Sequence, residues 1–113
     1  MINTHALGIS GEQKAVQYLK ANGYKILKTN YTCVVGEIDI ICEKDDTIIF
    51  VEVKQRESLK YGYPREAVTP HKINKIRMVA TNYLKFRRLT NQKIRFDVID
   101  ILGDKITHIE NCF

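Results

Sequence analysis

The segment GEIDIICEKDDTIIFVEVK, residues 36–54, constrains the fold more than any other part of the chain. Both halves are rich in Ile, Val and Phe, and Asp45-Asp46 between them is a turn signal, so the segment predicts a β-hairpin. A two-residue loop pairs Lys44 with Thr47, then Ile41 with Phe50, Asp39 with Glu52, and Glu37 with Lys54. A four-residue loop closed by Glu43 and Ile48 keeps the same register. Strand side chains alternate between faces, so Glu37, Asp39, Ile41 and Glu43 share one face of the first strand, while Ile38, Ile40 and Cys42 share the other. In the second strand Ile48, Phe50, Glu52, Lys54 and Arg56 share a face, opposite Ile49, Val51 and Val53.

This register sets Asp39 against Glu52 with Cβ atoms about 5 Å apart, where two like charges repel. A cation between them removes the repulsion, and hard carboxylate oxygens suit Mg²⁺ or Mn²⁺. Lys54, one same-face step beyond Glu52, is placed to orient or deprotonate a water or to neutralise developing charge. A solvated hairpin face with a Glu37–Lys54 ion pair accounts for the same charges. Ile41, Ile48 and Phe50 on that face argue that it is at least partly covered.

Leu7 to Asn22 has helical spacing through Ala15, Val16 and Leu19, with Ser10 and Gln13 as a capping box and Gly23 as the stop. Glu12 lies on the apolar side of that helix, where it is either a third site carboxylate or a first-turn acid favoured by the helix dipole. Tyr24 to Cys33 reads as a strand, and Ser58 to Pro70 as a loop. Thr69 caps a second helix that opens on Pro70, with Ile73, Ile76, Ala80, Tyr83 and Leu84 on one face. Ile94 to Leu102 and Lys105 to Glu110 read as strands around a Gly103-Asp104 turn. The order α-β-β-β-α-β-β predicts an α/β (α+β) fold with a mixed central sheet flanked by helices. At 113 residues, the expectation is a single domain over residues 1–113.

Lys and Arg exceed Asp and Glu by 18 to 13, a formal charge of +5, which favours an anionic partner, nucleic acid above all. The excess is concentrated between Lys72 and Arg95, and the acids between Glu37 and Glu57. No run approaches the roughly 20 apolar residues of a membrane span, and the N-terminus does not read as a secretion signal. A cytoplasmic protein is therefore expected, with no membrane partner. Cys33, Cys42 and Cys112 do not have the spacing of a disulfide framework or zinc site, and Cys42 is expected to pack as a small hydrophobe. His5, His71 and His108 lack partners at ligand spacing and are expected to be structural or solvated.

Gly11-Glu12 with Ala15, Tyr18 and Leu19, Gly23-Tyr24, Asn30, GEIDII, FVEVK, Ala67-Val68, Lys72, RFDV and Phe113 together resemble the YraN family of small bacterial proteins. The resemblance covers nearly the whole chain and implies a restriction-endonuclease-like fold. Asp39 followed by Glu52-Val53-Lys54 is similar to the core of many metal-dependent nucleases, including archaeal Holliday junction resolvases. An N-terminal helix glutamate of those resolvases resembles Glu12. Two positions depart from the family pattern: Gln55 stands where Thr or Ser is usual, and Val34-Val35 where a basic residue is common.

The resemblance implies a Mg²⁺- or Mn²⁺-dependent nuclease acting on DNA, including branched or repair intermediates. The alternative is an inactive nucleic-acid-binding module on the same scaffold, and the basic helix could also bind an acidic protein. In the nuclease scheme Asp39 and Glu52 hold the metal with the Val53 carbonyl, Glu12 completes the acidic site, and Lys54 serves the attacking water. Glu37 tunes the site or pairs with Lys54, and Gln55 hydrogen-bonds a phosphate or water. Arg56 and the helix residues Lys72, Lys75, Arg77, Lys85 and Arg88 contact the phosphate backbone, a sequence-independent role. The sequence leaves homodimerisation open.

Overall fold

The computed structural model describes residues 10–56, 69–89 and 91–113. Its elements are α1 (Gly11–Ala21), β1 (Lys25–Cys33), β2 (Gly36–Lys44), β3 (Thr47–Arg56), α2 (Pro70–Phe86), β4 (Lys93–Leu102) and β5 (Lys105–Ile109), the order expected from the sequence. His5, Ala67-Val68 and most of the expected 58–70 loop lie outside the described residues.

α1 starts where its cap dictates. Ser10 has extended backbone, its hydroxyl accepts from the Gln13 N–H at 3.2 Å, and the Gln13 side chain accepts from the Ser10 N–H at 3.1 Å. The helix therefore begins at Gly11 rather than Leu7, and residues 7–9 lie outside the described residues. Its end is a Schellman motif: Gly23, at φ +88°, and Tyr24 donate backwards to the carbonyls of Lys20 and Leu19. α2 starts on Thr69, whose hydroxyl accepts from the Lys72 N–H, with Pro70 in the first turn.

The five strands stand in the order β1-β2-β3-β4-β5. β3 and β4 run parallel, joined through α2, and the other neighbours are antiparallel. Asp45 and Asp46 both have positive φ, at 53° and 61°, as a two-residue hairpin turn of the right twist demands. The predicted register holds from Lys44↔Thr47 to Ile40↔Val51.

The sheet is covered on both faces. One core joins Ala15 and Leu19 of α1 to Ile40, Cys42, Ile49, Val51, Ile99 and Ile101. The other joins Ile76, Val79, Ala80 and Tyr83 of α2 to Ile38, Ile41, Ile48, Phe50 and Phe96. Ile38 and Ile40 thus fall in opposite cores, although strict alternation places them together. The break is at Asp39, where β1 has Asn30, at φ +52°, between the pairs Thr29↔Ile40 and Tyr31↔Ile38. Beyond Ile40, β2 stays paired with β1 while the β2–β3 ladder has ended. A cleft opens where the two strands part.

Candidate active site

The cleft measures about 240 Å³ and is lined by Gly36, Glu37, Asp39, Glu52, Lys72, Lys75 and Ile76. β2, β3 and the first turns of α2 each contribute a wall. With the ladder finished, the N–H of Val53 donates to Asp39 Oδ2 at 2.8 Å, so the carboxylate takes over a backbone acceptor's place. That bond fixes the Asp39 side chain beside Glu52, which β3 alternation turns to the same side. Gly36 has φ +151° and faces Val79 of α2, where a side chain would be strained.

The electrostatics are those of a crowded, half-dry site. Burial, above all, pushes the Asp39 carboxyl up to about 7; the Val53 N–H opposes this, while Glu52 beside it and Glu12 nearby add to it. Glu52 is 9% exposed and holds two lysines: Lys72 Nζ lies 2.9 Å and Lys54 Nζ 3.5 Å from its Oε2. Lys54 is lowered from the ordinary lysine range, first by desolvation and then by Lys72 beside it. Desolvation also works on Lys72, but contact with Lys54 and Glu52 outweighs it and raises its pKa. Lys72 is thus the firmer cation and Lys54 the one readier to give up a proton.

Asp39, Glu52 and Lys54 fall on one side, as hairpin parity required, but the ladder ends at Ile40↔Val51, so the expected strand pairs Asp39–Glu52 and Glu37–Lys54 do not form and Asp39 bonds to the Val53 N–H instead. Glu37 lies exposed on the rim, and Lys54 pairs with Glu52 rather than with Glu37. Glu12 is close enough to act on Asp39 but lines a neighbouring groove with Ser10, Gln13, Lys20, Thr29 and Asn30. Among the described residues no three acidic, His or Cys side chains form a ready metal cluster.

Gln55 and Arg56 are placed differently from expectation. Gln55 shares the α1 face with Val51 and Val53, and its amide fills the space over Gly11, 2.6 Å from where a Cβ there would stand. It is turned away from Glu52 and Lys54. Arg56 Nε bonds to Asp100 Oδ1 at 3.0 Å with its side chain 11% exposed, so this charge is engaged inside the protein rather than offered to phosphate. Of the basic helix, Lys72 and Lys75 reach the cleft. Arg77 stands over the Phe96 ring, and Lys85 and Arg88 flank a groove with Thr81, Leu84 and Leu89 at the far end of α2.

A second polar cluster escaped the sequence. Asp97, with no solvent exposure, accepts both Nε and a terminal nitrogen of Arg95 at 2.8 Å, the Asn111 N–H at 2.9 Å, and contacts His108 Nε2 at 2.7 Å. His108 Nδ1 meets the Tyr18 hydroxyl at 3.0 Å, and Arg95 donates to Tyr24. Burial raises Asp97, but the bonds from His108 and Arg95 outweigh it and hold the carboxyl below its ordinary value. His108 is structural, as expected, although with partners that spacing alone did not show. The signal was available in RFDVIDIL, where Asp97 and Asp100 interrupt an otherwise apolar strand. Cys42 is fully buried, and burial pushes its thiol up to about 12, so it packs as the hydrophobe it was expected to be.

A five-stranded mixed sheet with a helix on each face, and a charged cleft where two strands part, is the architecture of a restriction-endonuclease-like α/β protein. The chain belongs to the uncharacterised protein family UPF0102, the family of YraN, whose model matches residues 11–101. A UPF0102 protein of Syntrophomonas wolfei is 50% identical over 111 residues, covering 95% of this chain and 96% of its own. One from Clostridioides difficile is 48% identical over 114 residues, covering 99% and 100%. One from Acetivibrio thermocellus is 51% identical over 104 residues, covering 91% and 80%. No helix among the described residues is long and apolar enough to cross a membrane.

Proposed function

We propose that the protein is a divalent-metal-dependent nuclease that hydrolyses phosphodiester bonds in DNA, branched or repair intermediates included. The observation that carries this reading is the convergence of Asp39, Glu52, Lys54 and Lys72 on one cleft, with Asp39 held near neutrality beside a second carboxylate. A plain structural ion pair does not need two carboxylates side by side. A hard cation does, and the donors fit one: Oδ2 of Asp39 is held by Val53, which leaves its other oxygen for Mg²⁺ or Mn²⁺ together with the Glu52 carboxylate, whose Oε2 now carries Lys72 and Lys54. The Val53 carbonyl and Glu12 are the further donors.

When bound, such an ion would neutralise phosphate charge and make a coordinated water more acidic. The chain's own residues do the rest. Lys54, partly desolvated, orients the attacking water and takes or shares its proton. Lys75, exposed on the rim, meets the phosphate backbone of the strand entering the cleft. Arg77, Lys85 and Arg88 extend that contact along α2. Glu37 adjusts the field at the mouth, and Gln55 supports Gly11 and the start of α1 from below the sheet rather than touching substrate.

A nucleic-acid-binding module without cleavage is the second reading, favoured by the lysine that already sits on Glu52. Incubating the protein with single-stranded, duplex, flap and four-way DNA in Mg²⁺ and in Mn²⁺ separates the two. Cleavage of any substrate that Glu52→Gln abolishes supports the nuclease. Binding of these DNAs with no cleavage in either ion supports the module.

A further inference from the structure

Lys72 is the best-placed side chain in the cleft, and phosphate contact alone does not explain where it is. It is the third residue of α2, its backbone N–H is tied to the Thr69 hydroxyl, and so its Cα is held by the helix cap. From there Nζ reaches inward to 2.9 Å from Glu52 Oε2, closer than Lys54 at 3.5 Å, and it also feels Asp39. A lysine intended for an incoming backbone gains by pointing outward, as its exposed neighbour Lys75 does. A lysine in this position neutralises the carboxylates instead.

Resting on the metal-dependent reading above, we infer that Lys72 is the cleft's resident counterion, which a divalent cation must displace from Glu52 and which is thereby released toward the substrate phosphate. The geometry gives it both jobs. With Lys72 on Glu52 the two neighbouring carboxylates are tolerable in the absence of metal, since a second ammonium joins Lys54 against charge that is largely withdrawn from water. A divalent ion brings twice the charge to the same oxygens, so the ammonium loses its place. The tether at Thr69 leaves the freed side chain at the rim, beside Lys75, where a phosphate oxygen arrives. Metal loading and substrate grip are then coupled through one side chain, and affinity for the metal is lowered by the ion pair that must first be broken.

Lys72→Met keeps the length and apolar stem of the side chain and removes only the charge. The measurement is Mn²⁺ binding by calorimetry, with thermal unfolding in EDTA and in Mn²⁺ as a second readout and Lys75→Met as the control. In Lys72→Met, Mn²⁺ should bind roughly 10-fold more tightly, the equivalent of one charge-assisted hydrogen bond no longer broken. The variant should melt lower than wild type in EDTA and gain more than wild type when Mn²⁺ is added. Lys75→Met removes an equal charge from the same cleft without touching Glu52, and should change Mn²⁺ affinity by less than about 2-fold. Equal tightening in both variants would make the effect a general field and sink the counterion role. Unchanged or weaker Mn²⁺ binding in a folded Lys72→Met would do the same while leaving the metal reading intact. Loss of Mn²⁺ binding in wild type and variants alike would overturn the metal reading, and this inference with it.

Discussion

Asp39 answers to two demands at once: it closes the end of a backbone ladder through the Val53 N–H, and it faces Glu52 across a half-buried cleft. The cost of the second shows in its pKa of about 7, against 3.8 for a free aspartate. The folded protein therefore binds a proton that the unfolded chain has already released between pH 4 and 7. In EDTA, stability should fall as pH rises through that window and level off above it. Asp39→Asn keeps an acceptor for Val53 and removes the titration. At pH 8 it should be more stable than wild type by roughly 1–3 kcal/mol, a range reduced from the full shift because the side chain is partly exposed. The gap should close toward pH 4, and urea titrations across that range would show it. In the proposed nuclease Lys54 acts on the reaction and not on the metal. Lys54→Ala should leave Mn²⁺ binding intact or slightly tighter while cleavage slows roughly 10²- to 10⁴-fold. A variant cleaving at the wild-type rate would return the hairpin charges to a purely structural role.

At the scale of elements, local chemistry and buried polar pairs set the geometry that the cleft depends on. The hairpin turn uses two aspartates at positive φ, a conformation that glycine adopts without steric penalty. Asp46→Gly should therefore stabilise the protein by roughly 0.5–1 kcal/mol, seen as a rise of a few degrees in Tm. The Asp97 cluster does the opposite work, pinning β4, β5 and the Asn111 backbone to α1 through Arg95, His108 and Tyr18. Asp97→Ala leaves Arg95 partly buried without its bidentate partner, and should cost about 3–5 kcal/mol in urea denaturation. A cost below about 1 kcal/mol would mean that water replaces the carboxylate at little expense.

At the scale of the whole molecule, the basic side chains proposed to grip DNA from α2 and its end stand mainly at two places. Lys72 and Lys75 stand at the cleft, whereas Lys85 lies between three and four turns beyond Lys72 along α2, about 20 Å at 1.5 Å per residue, with Arg88 just past the end of the helix. That is far enough to follow a strand beyond the site of reaction. Replacing Lys85 and Arg88 together by Ala should flatten the dependence of DNA affinity on salt, by about 0.9 log unit per log unit of salt for each phosphate that is no longer neutralised. The rate at saturating DNA should not change. Replacing Lys75 as well should lower affinity further. A salt slope unaltered by the double substitution would put the grip on the backbone on another face.

The order of elements, both helix caps, the hairpin turn and the register of β2 on β3 as far as Ile40↔Val51 are all legible in the chain. They rest on interactions within a few residues or on strict two-residue alternation, which survive without knowledge of the rest of the molecule. Asp39, Glu52 and Lys54 were found together for the same reason: one turn fixes their parity. Other features needed the packed molecule. The β2–β3 ladder ends before Asp39, and Ile38 lies in the core opposite to that of Ile40, neither of which strict alternation shows. Alternation alone turns Gln55 to the face opposite Lys54, but only the packed molecule shows that Gly11 leaves room there for its amide. Arg56 and Lys72 look alike in sequence as basic residues expected to meet phosphate. Arg56 is bound to Asp100, 44 positions further along the chain, while Lys72 reaches Glu52 from a separate helix. A long-range ion pair leaves no periodic trace in the chain, because what selects the partner is the packing of distant elements rather than the spacing of neighbours.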